Sequence, residues 1–148
     1  APMAGMKLNQ WSRVIAVSLG GFFNVTQPLL LPMIGTRWGR IITVSSVSAQ
    51  LGNRGQTNYA AAKAGLHGAS KSLALEVASR GVTVNVVALG FIESRMVEQS
   101  CKPEKIEALV PMKRAGTPQE VAYLVGFLAS EKADYISGQV IGLNGGMA

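Results

Sequence analysis

The sequence predicts an α/β fold in which layers of helices cover a parallel sheet. Two short runs, RIITVS at 40–45 and VTVNVVA at 82–88, are continuous in β-branched and apolar residues, which is typical of strands buried on both faces. Longer segments with helical spacing precede and separate them, at about 9–34 and 58–79. Strands that alternate with helices favour a parallel sheet joined by right-handed crossovers.

Local signals mark where the predicted helices begin and end. Asn9 is a candidate N-cap of the first helix, because its short side chain can accept a hydrogen bond from a free backbone N–H. Pro28 and Pro32 are expected to bend the second half of that helix, since proline cannot donate the helical hydrogen bond. Gly81 follows the second long helix and is expected to end it in the left-handed conformation.

The C-terminal part adds a long connection, a helix and a last strand. The connection, at about 89–118, contains short helical segments, and such a length inside a domain is usually functional. Thr117 and Glu120 have the spacing of a capping box, so a helix is predicted over 118–130. The last strand is predicted near 138–143.

Composition indicates one packed domain over residues 1–148. Hydrophobic residues make up 48% of the chain and charged residues 15%, which is the balance of a globular protein. The single cysteine, Cys101, cannot form an internal disulfide, so a reducing, cytoplasmic compartment is expected. No uninterrupted apolar run reaches the roughly 18 residues that span a bilayer, so no membrane segment is predicted.

The net charge of +6, from 14 basic and 8 acidic residues, bears on the choice of partners. The basic residues are scattered and not interleaved with aromatic ones, so no nucleic-acid partner is predicted. An acidic protein or a phosphorylated cofactor accounts for the charge as well. His67, the only histidine, is assigned to the packing face of its helix, and no metal site is predicted.

The strongest chemical signal is the pair Tyr59 and Lys63 in the run YAAAK, with Ser46 at a predicted strand end upstream. Residues four apart lie on one helix face, which places the lysine beside the tyrosine. A phenol is a poor acid near pH 7 because its pKa is about 10. A cation about 4 Å away, at an effective dielectric of about 20, contributes about 4 kcal/mol, enough to lower that pKa by about 3 units. Taken alone, the spacing also fits a surface tyrosine and a solvated lysine.

The runs around this pair resemble the short-chain dehydrogenase/reductase family in order and spacing. They are GRIITVSS, NYAAAKAGL, GVTVNVVALGFIES, PMKRAGTPQEVA and YISGQVIGLNGG, and they extend over essentially the whole chain. The closest subgroup is the β-ketoacyl-acyl-carrier-protein reductases. The resemblance implies a Rossmann-like, doubly wound parallel sheet with helices on both faces, of which this chain would be the C-terminal part.

The same resemblance assigns catalytic roles. Tyr59 would be the general acid that protonates the substrate carbonyl oxygen during hydride transfer. Lys63 would lower the pKa of the tyrosine and hold the nicotinamide ribose, and Ser46, rather than its neighbour Ser45, would orient the carbonyl. The family completes this set with an asparagine in the first helix, where this chain has Ser18, which is shorter but can also hold water.

The resemblance also implies a nicotinamide cofactor, NADPH, with NADH as the alternative. Gly90 would let the backbone approach the nicotinamide, and Ile92 and Ser94 would contact its carboxamide. Leu89 stands where the family has a proline. The chain has no glycine-rich strand–turn–helix, since Gly20–Gly21 lies inside a predicted helix, so the N-terminal half that binds the cofactor phosphates is expected to be absent from it.

The activity predicted for the full-length protein is NADPH-dependent reduction of a 3-oxoacyl thioester on acyl carrier protein to the 3-hydroxyacyl form. The alternatives are a generic short-chain alcohol dehydrogenase and a truncated, non-catalytic assembly subunit. Arg37 and Arg80 lie where reductases of acyl carriers present basic residues to the acidic carrier, although two solvated surface arginines fit equally. A homodimer or homotetramer is expected, with the small residues Ala62, Gly65 and Ala69 packed between subunits.

Overall fold

The sheet consists of three parallel strands. The computed structural model describes the backbone of residues 1–148 and the side chains other than those of Met96 and Ser100. Its strands are β1 (Gly39–Ser46), β2 (Val82–Leu89) and β3 (Val140–Leu143). β2 lies in the middle and pairs in parallel with both neighbours, which confirms the predicted α/β architecture.

Helices precede, connect and cover the strands. They are α1 (Leu8–Ile15), α2 (Gly21–Thr36), α3 (Ser48–Leu51), α4 (Thr57–Val77), α5 (Arg95–Ser100), α6 (Pro103–Leu109) and α7 (Pro118–Ala129). A π-helical turn, Ala16–Gly20, joins α1 and α2 into one continuous helix. α4 continues into a 3-10 turn that ends at Gly81 in the left-handed conformation, with φ 72°, as predicted.

Two predicted boundaries are wrong. The first helix begins at Leu8, because the Gln10 side chain, and not Asn9, accepts a backbone N–H (that of Lys7, at 2.9 Å) and closes the first turn. The last strand begins at Val140 and not at 138, because Gly138 turns the chain with φ 73°.

Each face of the sheet has its own apolar core. The face covered by α2 and α4 buries Leu73, Ala74, Val77, Val82 and Val84, with Phe22, Leu30, Met33, Ile34 and Ile41 against them. The face covered by α7 buries Val87, Leu128 and Ala133, with Ile42, Leu89, Leu124, Val125, Ile136, Ile141 and Leu143 against them. Burial on both faces explains why the strands are continuous apolar runs, and it confirms the prediction of helices on both sides.

Two of the small residues of α4, Ala62 and Gly65, pack inside the chain, which contradicts the prediction that they face another subunit. Ala62 has no exposed surface, and a Cβ on Gly65 would lie 3.0 Å from a methyl group of Leu19 in the π-helical turn. The small side chains therefore allow the first helix to approach α4 closely.

The outer side of β1 has no strand paired to it within the described chain. A cleft of about 420 Å³ runs between this edge and α2, with Val44 on the strand side and Val25 and Leu29 on the helix side. These three residues are exposed to 46%, 66% and 48%. An unpaired strand edge beside exposed apolar side chains is a surface on which a further strand can add.

One helical stretch, Leu8–Thr36, is long and apolar enough to cross a membrane by length and composition, with a mean hydropathy of 1.6. The prediction of no such segment considered only uninterrupted apolar runs, and this stretch is interrupted by uncharged polar residues such as Ser18 and Asn24. Only 6% of the apolar window is buried within this chain, although Leu30 and Met33 of the stretch pack against the apolar core on the α4 side of the sheet.

Candidate active site

Two hydrogen bonds hold the end of β1 against the first turns of α4. The Lys63 ammonium donates to the carbonyl of Val44, with 3.0 Å between Nζ and O. The hydroxyl of Ser45, one residue further along the strand, donates to the backbone carbonyl of Lys63 at 3.1 Å. Because Ser46 is the next residue of β1, these contacts bring the candidate serine and the candidate lysine to the same corner of the fold.

Tyr59 lies one turn before Lys63 on α4. The centre of its ring is 5.7 Å from Lys63 Nζ, so the two side chains lie next to each other. Burial lowers the pKa of Lys63 from its usual value, because a half-buried ammonium loses part of its hydration. Asn58 fixes the start of the helix here, since its side-chain oxygen accepts the N–H of Tyr59 at 2.9 Å and its amide donates to the carbonyl of Gln10 at 3.1 Å.

Ser46 is oriented by one hydrogen bond. The backbone N–H of Ser48 donates to Ser46 Oγ at 3.2 Å. This contact uses a lone pair of the oxygen and not its proton, so the hydroxyl can still donate to another oxygen. Hydroxyl and ammonium donors directed at one oxygen stabilise negative charge as it develops there, which is what reduction of a carbonyl requires.

Ser18 lies in the π-helical turn and lines the same cleft as Lys63 and Val44. The wider π turn displaces the residue register of a long helix, and such turns are frequent at functional sites. The apolar spacing of the first helix did not predict this turn, because periodicity cannot resolve one extra residue in a single turn. Ser18 thus shares a cleft with the lysine, and its role in holding water stays a prediction.

The three residues expected to contact the nicotinamide each have a structural partner. A Cβ on Gly90 would lie 2.8 Å from Cα of Asn144, so the glycine is required by the turn after β3. Ile92 forms an isolated parallel bridge with Gly116, and the Ser94 hydroxyl caps α5 by accepting the N–H of Val97 at 3.3 Å. Their contacts with a cofactor stay predictions.

The capping box at Thr117 is confirmed, and it anchors the end of the long connection. Thr117 Oγ1 accepts the N–H of Glu120, and the Glu120 carboxylate accepts the N–H of Thr117 at 2.7 Å. The same carboxylate accepts hydrogen bonds from the two terminal guanidinium nitrogens of Arg114, at 2.6 and 2.9 Å. The hydrogen bonding with Arg114, followed by the backbone bond from Thr117, lowers the pKa of Glu120 to about 2.

Arg37 and Arg80 lie together, but at the other end of the sheet from Ser46. Arg37 donates to the carbonyl of Ser79 at 3.1 Å, and its own carbonyl packs against Gly81 so closely that a Cβ there would clash. Both arginines adjoin the amino ends of β1 and β2, about 23 Å from Ser46 at 3.3 Å for each residue of a strand.

One contact at the candidate site has no signal in the sequence. Ser45 Oγ lies 2.8 Å from Nε2 of His67, so the histidine contacts the strand that carries Ser46. A lone histidine in an apolar helix gives no signal for this, since only the fold brings residues 45 and 67 together. Among the described residues, no group of three or more His, Cys, Asp or Glu side chains is placed to hold a metal ion.

Comparison with known sequences identifies relatives over the whole chain. The family model described as "Enoyl-(Acyl carrier protein) reductase" matches residues 1–148. The 3-oxoacyl-[acyl-carrier-protein] reductase FabG of Aggregatibacter actinomycetemcomitans is 48% identical over 93% of the chain and 57% of its own length. The enzyme of the same name from Escherichia coli (strain K12) is 51% identical over 96% of the chain and 59% of its own length.

A relative with a different name is similar to the same degree. Nodulation protein G of Rhizobium meliloti (strain 1021) is 51% identical over 93% of the chain and 57% of its own length. The chain thus spans 57–60% of the length of the curated relatives that it matches.

Proposed function

The chain belongs to the short-chain dehydrogenase/reductase family, and from this premise we propose that its full-length form reduces the 3-oxoacyl thioester of an acyl carrier protein to the 3-hydroxyacyl form with NADPH. The arrangement of Ser46, Tyr59 and Lys63 at the carboxyl end of β1 carries the proposal, because it offers two hydroxyl donors and an ammonium at one corner. Relatives with 48–51% identity are named for this reaction.

In the proposed reaction, Ser46 and Tyr59 act on the carbonyl oxygen of the substrate. Ser46 donates a hydrogen bond to this oxygen, and Tyr59 transfers its phenolic proton to it as the hydride reaches the carbon, so that the ketone becomes a secondary alcohol. The nicotinamide cofactor supplies the hydride when it is bound. The ammonium of Lys63, 5.7 Å from the tyrosine ring, stabilises the phenolate that remains.

Lys63 also fits the ribose of the cofactor, because its ammonium has three protons and the Val44 carbonyl uses one of them. The phosphates lack such partners here: the sequence has no G-x-G-x-x-G run, and Gly20–Gly21 lies inside the first helix. We propose that an upstream half of the full-length protein binds the phosphates and adds its strands at the open edge of β1. Calorimetry on the 148-residue chain should therefore show no submicromolar binding of NADPH, and such binding would contradict this division.

Substrate class is tested directly on the full-length protein. Oxidation of NADPH should be fastest with a 3-oxoacyl thioester on acyl carrier protein and much slower with an enoyl thioester, the substrate named in the description of the matching family model. The same assay with NADH tests the choice of cofactor. Equal turnover of simple ketones would support the generic alcohol dehydrogenase, and no turnover of any substrate would support the assembly subunit.

We propose that Arg37 and Arg80 receive the acidic carrier through electrostatic attraction. Since they lie one strand length from Ser46, we propose that a carrier bound there delivers its substrate to the active site of a second subunit. An isologous dimer with antiparallel α2 helices would bring the arginines of one subunit beside the serine of the other. Arg37→Glu and Arg80→Glu should raise KM for a carrier-bound substrate and leave KM for a carrier-free thioester unchanged. An equal rise for both substrates would argue against docking.

The surface proposed for this homodimer, or for the pairs within a homotetramer, is the outer face of α2. Phe23 and Leu31 on this helix are exposed to 63% and 78%, and exposed apolar patches mark interaction sites. Light scattering should give at least a dimer for the full-length protein, and Phe23→Asp should reduce the mass. A monomeric wild type would refute the assembly.

With a single cysteine and relatives that act on acyl carrier protein, the cytoplasm is the proposed location.

A further inference from the structure

Polar contacts connect β1 and α4 inside an interface that is otherwise apolar. Ser70 Oγ donates to Thr43 Oγ1 at 3.2 Å, and two residues along the strand Ser45 Oγ lies 2.8 Å from His67 Nε2. Ser45 and Ser70 are exposed to only 3% and 1%. Buried polar groups are costly unless they are hydrogen-bonded, and apolar residues of similar size would stabilise the interface at least as well. Stability alone therefore does not explain the contact between Ser45 and His67.

His67 shares a face of α4 with the two candidate catalytic residues. Tyr59, Lys63 and His67 follow each other at intervals of four residues, so they lie above one another on the helix. Ser45 connects this face to the strand, because its hydroxyl contacts both the Lys63 carbonyl and the His67 ring. Its backbone leads directly into Ser46.

The single hydroxyl proton of Ser45 determines which tautomer of His67 fits. When this proton is donated to the Lys63 carbonyl at 3.1 Å, the 2.8 Å contact requires a hydrogen on Nε2 that is donated to Ser45 Oγ. Burial lowers the pKa of His67, and the positive charge of Lys71 lowers it further, so the neutral ring prevails near pH 7. The neutral ring with hydrogen on Nε2 satisfies every group in the contact.

We propose that His67 is a positioning residue for the reaction, which acts through Ser45 to hold Ser46 and Lys63 in register. The Nε2–H donor fixes the orientation of the Ser45 hydroxyl. That hydroxyl connects the carboxyl end of the strand to the turn of α4 that carries the lysine. Misplacement of reacting groups by about 1 Å can reduce a rate by about 10²-fold. The kinetic consequence rests on the proposed reductase function, whereas the structural one does not.

Two amide substitutions separate hydrogen-bond geometry from packing. In the full-length protein, His67→Gln places an amide N–H near the position of Nε2, whereas the shorter amide of His67→Asn corresponds to Nδ1. We expect kcat of His67→Asn to fall by roughly 10-fold, with KM for the carrier-bound substrate changed by less than about twofold. His67→Gln should retain most of the kcat. Equal losses in the two variants would mean that the ring only fills space, and would overturn the proposal.

Ser45→Ala should lose at least as much kcat as His67→Asn, because it removes the bond to the Lys63 carbonyl as well as the contact with His67. The double variant should then lose no more than Ser45→Ala alone, since residues that act through each other are not additive. Losses that multiply in the double variant would show that the two residues act independently, contrary to the proposal.

Nitrogen-15 NMR of the imidazole tests the structural consequence without an activity measurement. The resonances of His67, identified by their absence in His67→Gln, should show hydrogen on Nε2 near neutral pH and should change in Ser45→Ala. Hydrogen on Nδ1 in the wild type, or a tautomer indifferent to Ser45→Ala, would overturn the proposal. If the tautomer responds as expected but the protein reduces no 3-oxoacyl thioester, the proposed function fails and the contact between the two residues stands.

Discussion

The two halves of α4 contact the sheet in different ways. In the first half, Lys63 is joined to β1 by two hydrogen bonds: its ammonium donates to the Val44 carbonyl, and its backbone carbonyl accepts from the Ser45 hydroxyl. In the second half, Leu73 and Val77 belong to the apolar core together with residues of β2. One continuous helix thus has a polar contact surface beside the candidate active site and an apolar one away from it.

This difference separates the residues that serve chemistry from those that serve stability. Apolar packing contributes roughly 25 cal/mol for each Å² removed from water, without any hydrogen-bond geometry to satisfy. Buried hydrogen bonds contribute only about 1 kcal/mol each, but they fix direction. We therefore expect substitutions in the first half of α4 to reduce turnover, and substitutions in the second half to reduce the free energy of unfolding.

The largest expected effect is on turnover, from Tyr59→Phe in the full-length protein. The substitution removes the phenolic proton and keeps the ring, so kcat should fall by at least about 10²-fold, the range for a lost general acid. The urea midpoint should stay where it is in the wild type. Turnover at the wild-type rate would refute the assignment of Tyr59 as the acid.

Leu73→Ala tests the second half of the helix. Leu73 is 8% exposed within the core on the α4 side of the sheet, and truncation of a buried leucine typically costs about 2–5 kcal/mol. Urea unfolding should show this loss, while turnover for each folded molecule should be unchanged. A variant as stable as the wild type would mean that the second half of α4 is not a stabilising contact.

Gly81→Ala tests the end of the helix, with a smaller expected loss. Gly81 has φ 72°, and an added Cβ would lie 2.2 Å from the Arg37 carbonyl oxygen. Alanine at a positive φ destabilises by more than about 1 kcal/mol. The matched control is Gly68→Ala, where nothing lies within 4 Å of the new Cβ and helix propensity favours alanine by about 1 kcal/mol. Equal unfolding midpoints for the two variants would show that the turn at Gly81 imposes no constraint.

The smallest expected effect is on the pH dependence of stability. Burial, followed by the charge of Lys71, lowers the pKa of His67 below its ordinary value. The unfolded chain therefore takes up more protons as pH falls through about 6.5, and the free energy of unfolding should decrease between about pH 7.5 and 5.5. The carboxyl of Glu120, with its pKa of about 2, acts only at lower pH. His67→Gln should remove the slope in this window, and a slope that persists would assign it to another group.

The sequence predicts the strands, the helix ends and the apolar core better than it predicts the polar contacts near the candidate active site. The runs at β1 and β2, the end of α4 at Gly81 and the capping box at Thr117 follow from periodicity and local chemistry, and all are present. The π-helical turn does not follow, because one extra residue in a turn leaves the apolar spacing almost unchanged.

Long-range contacts explain the remaining differences. The sequence does not indicate whether Gly65 faces Leu19 of the same chain or another subunit. The structure places it against Leu19. Similarly, only the fold brings Ser45 and His67 within hydrogen-bonding distance. Spacing along one helix predicts Tyr59 beside Lys63, whereas contacts between a helix and a strand depend on a register that composition does not fix.

The most direct test of the account is Lys63→Met, with turnover and unfolding measured on the same full-length protein. Burial of the ammonium lowers its pKa, which means that the partly desolvated charge costs free energy in the folded protein. Methionine has a similar length and carries no charge to desolvate. We expect an unfolding free energy equal to or above that of the wild type, together with a fall in kcat of at least about 10²-fold. A protein that keeps its turnover, or one that loses stability and turnover in parallel, would contradict the claim that the first half of α4 serves chemistry.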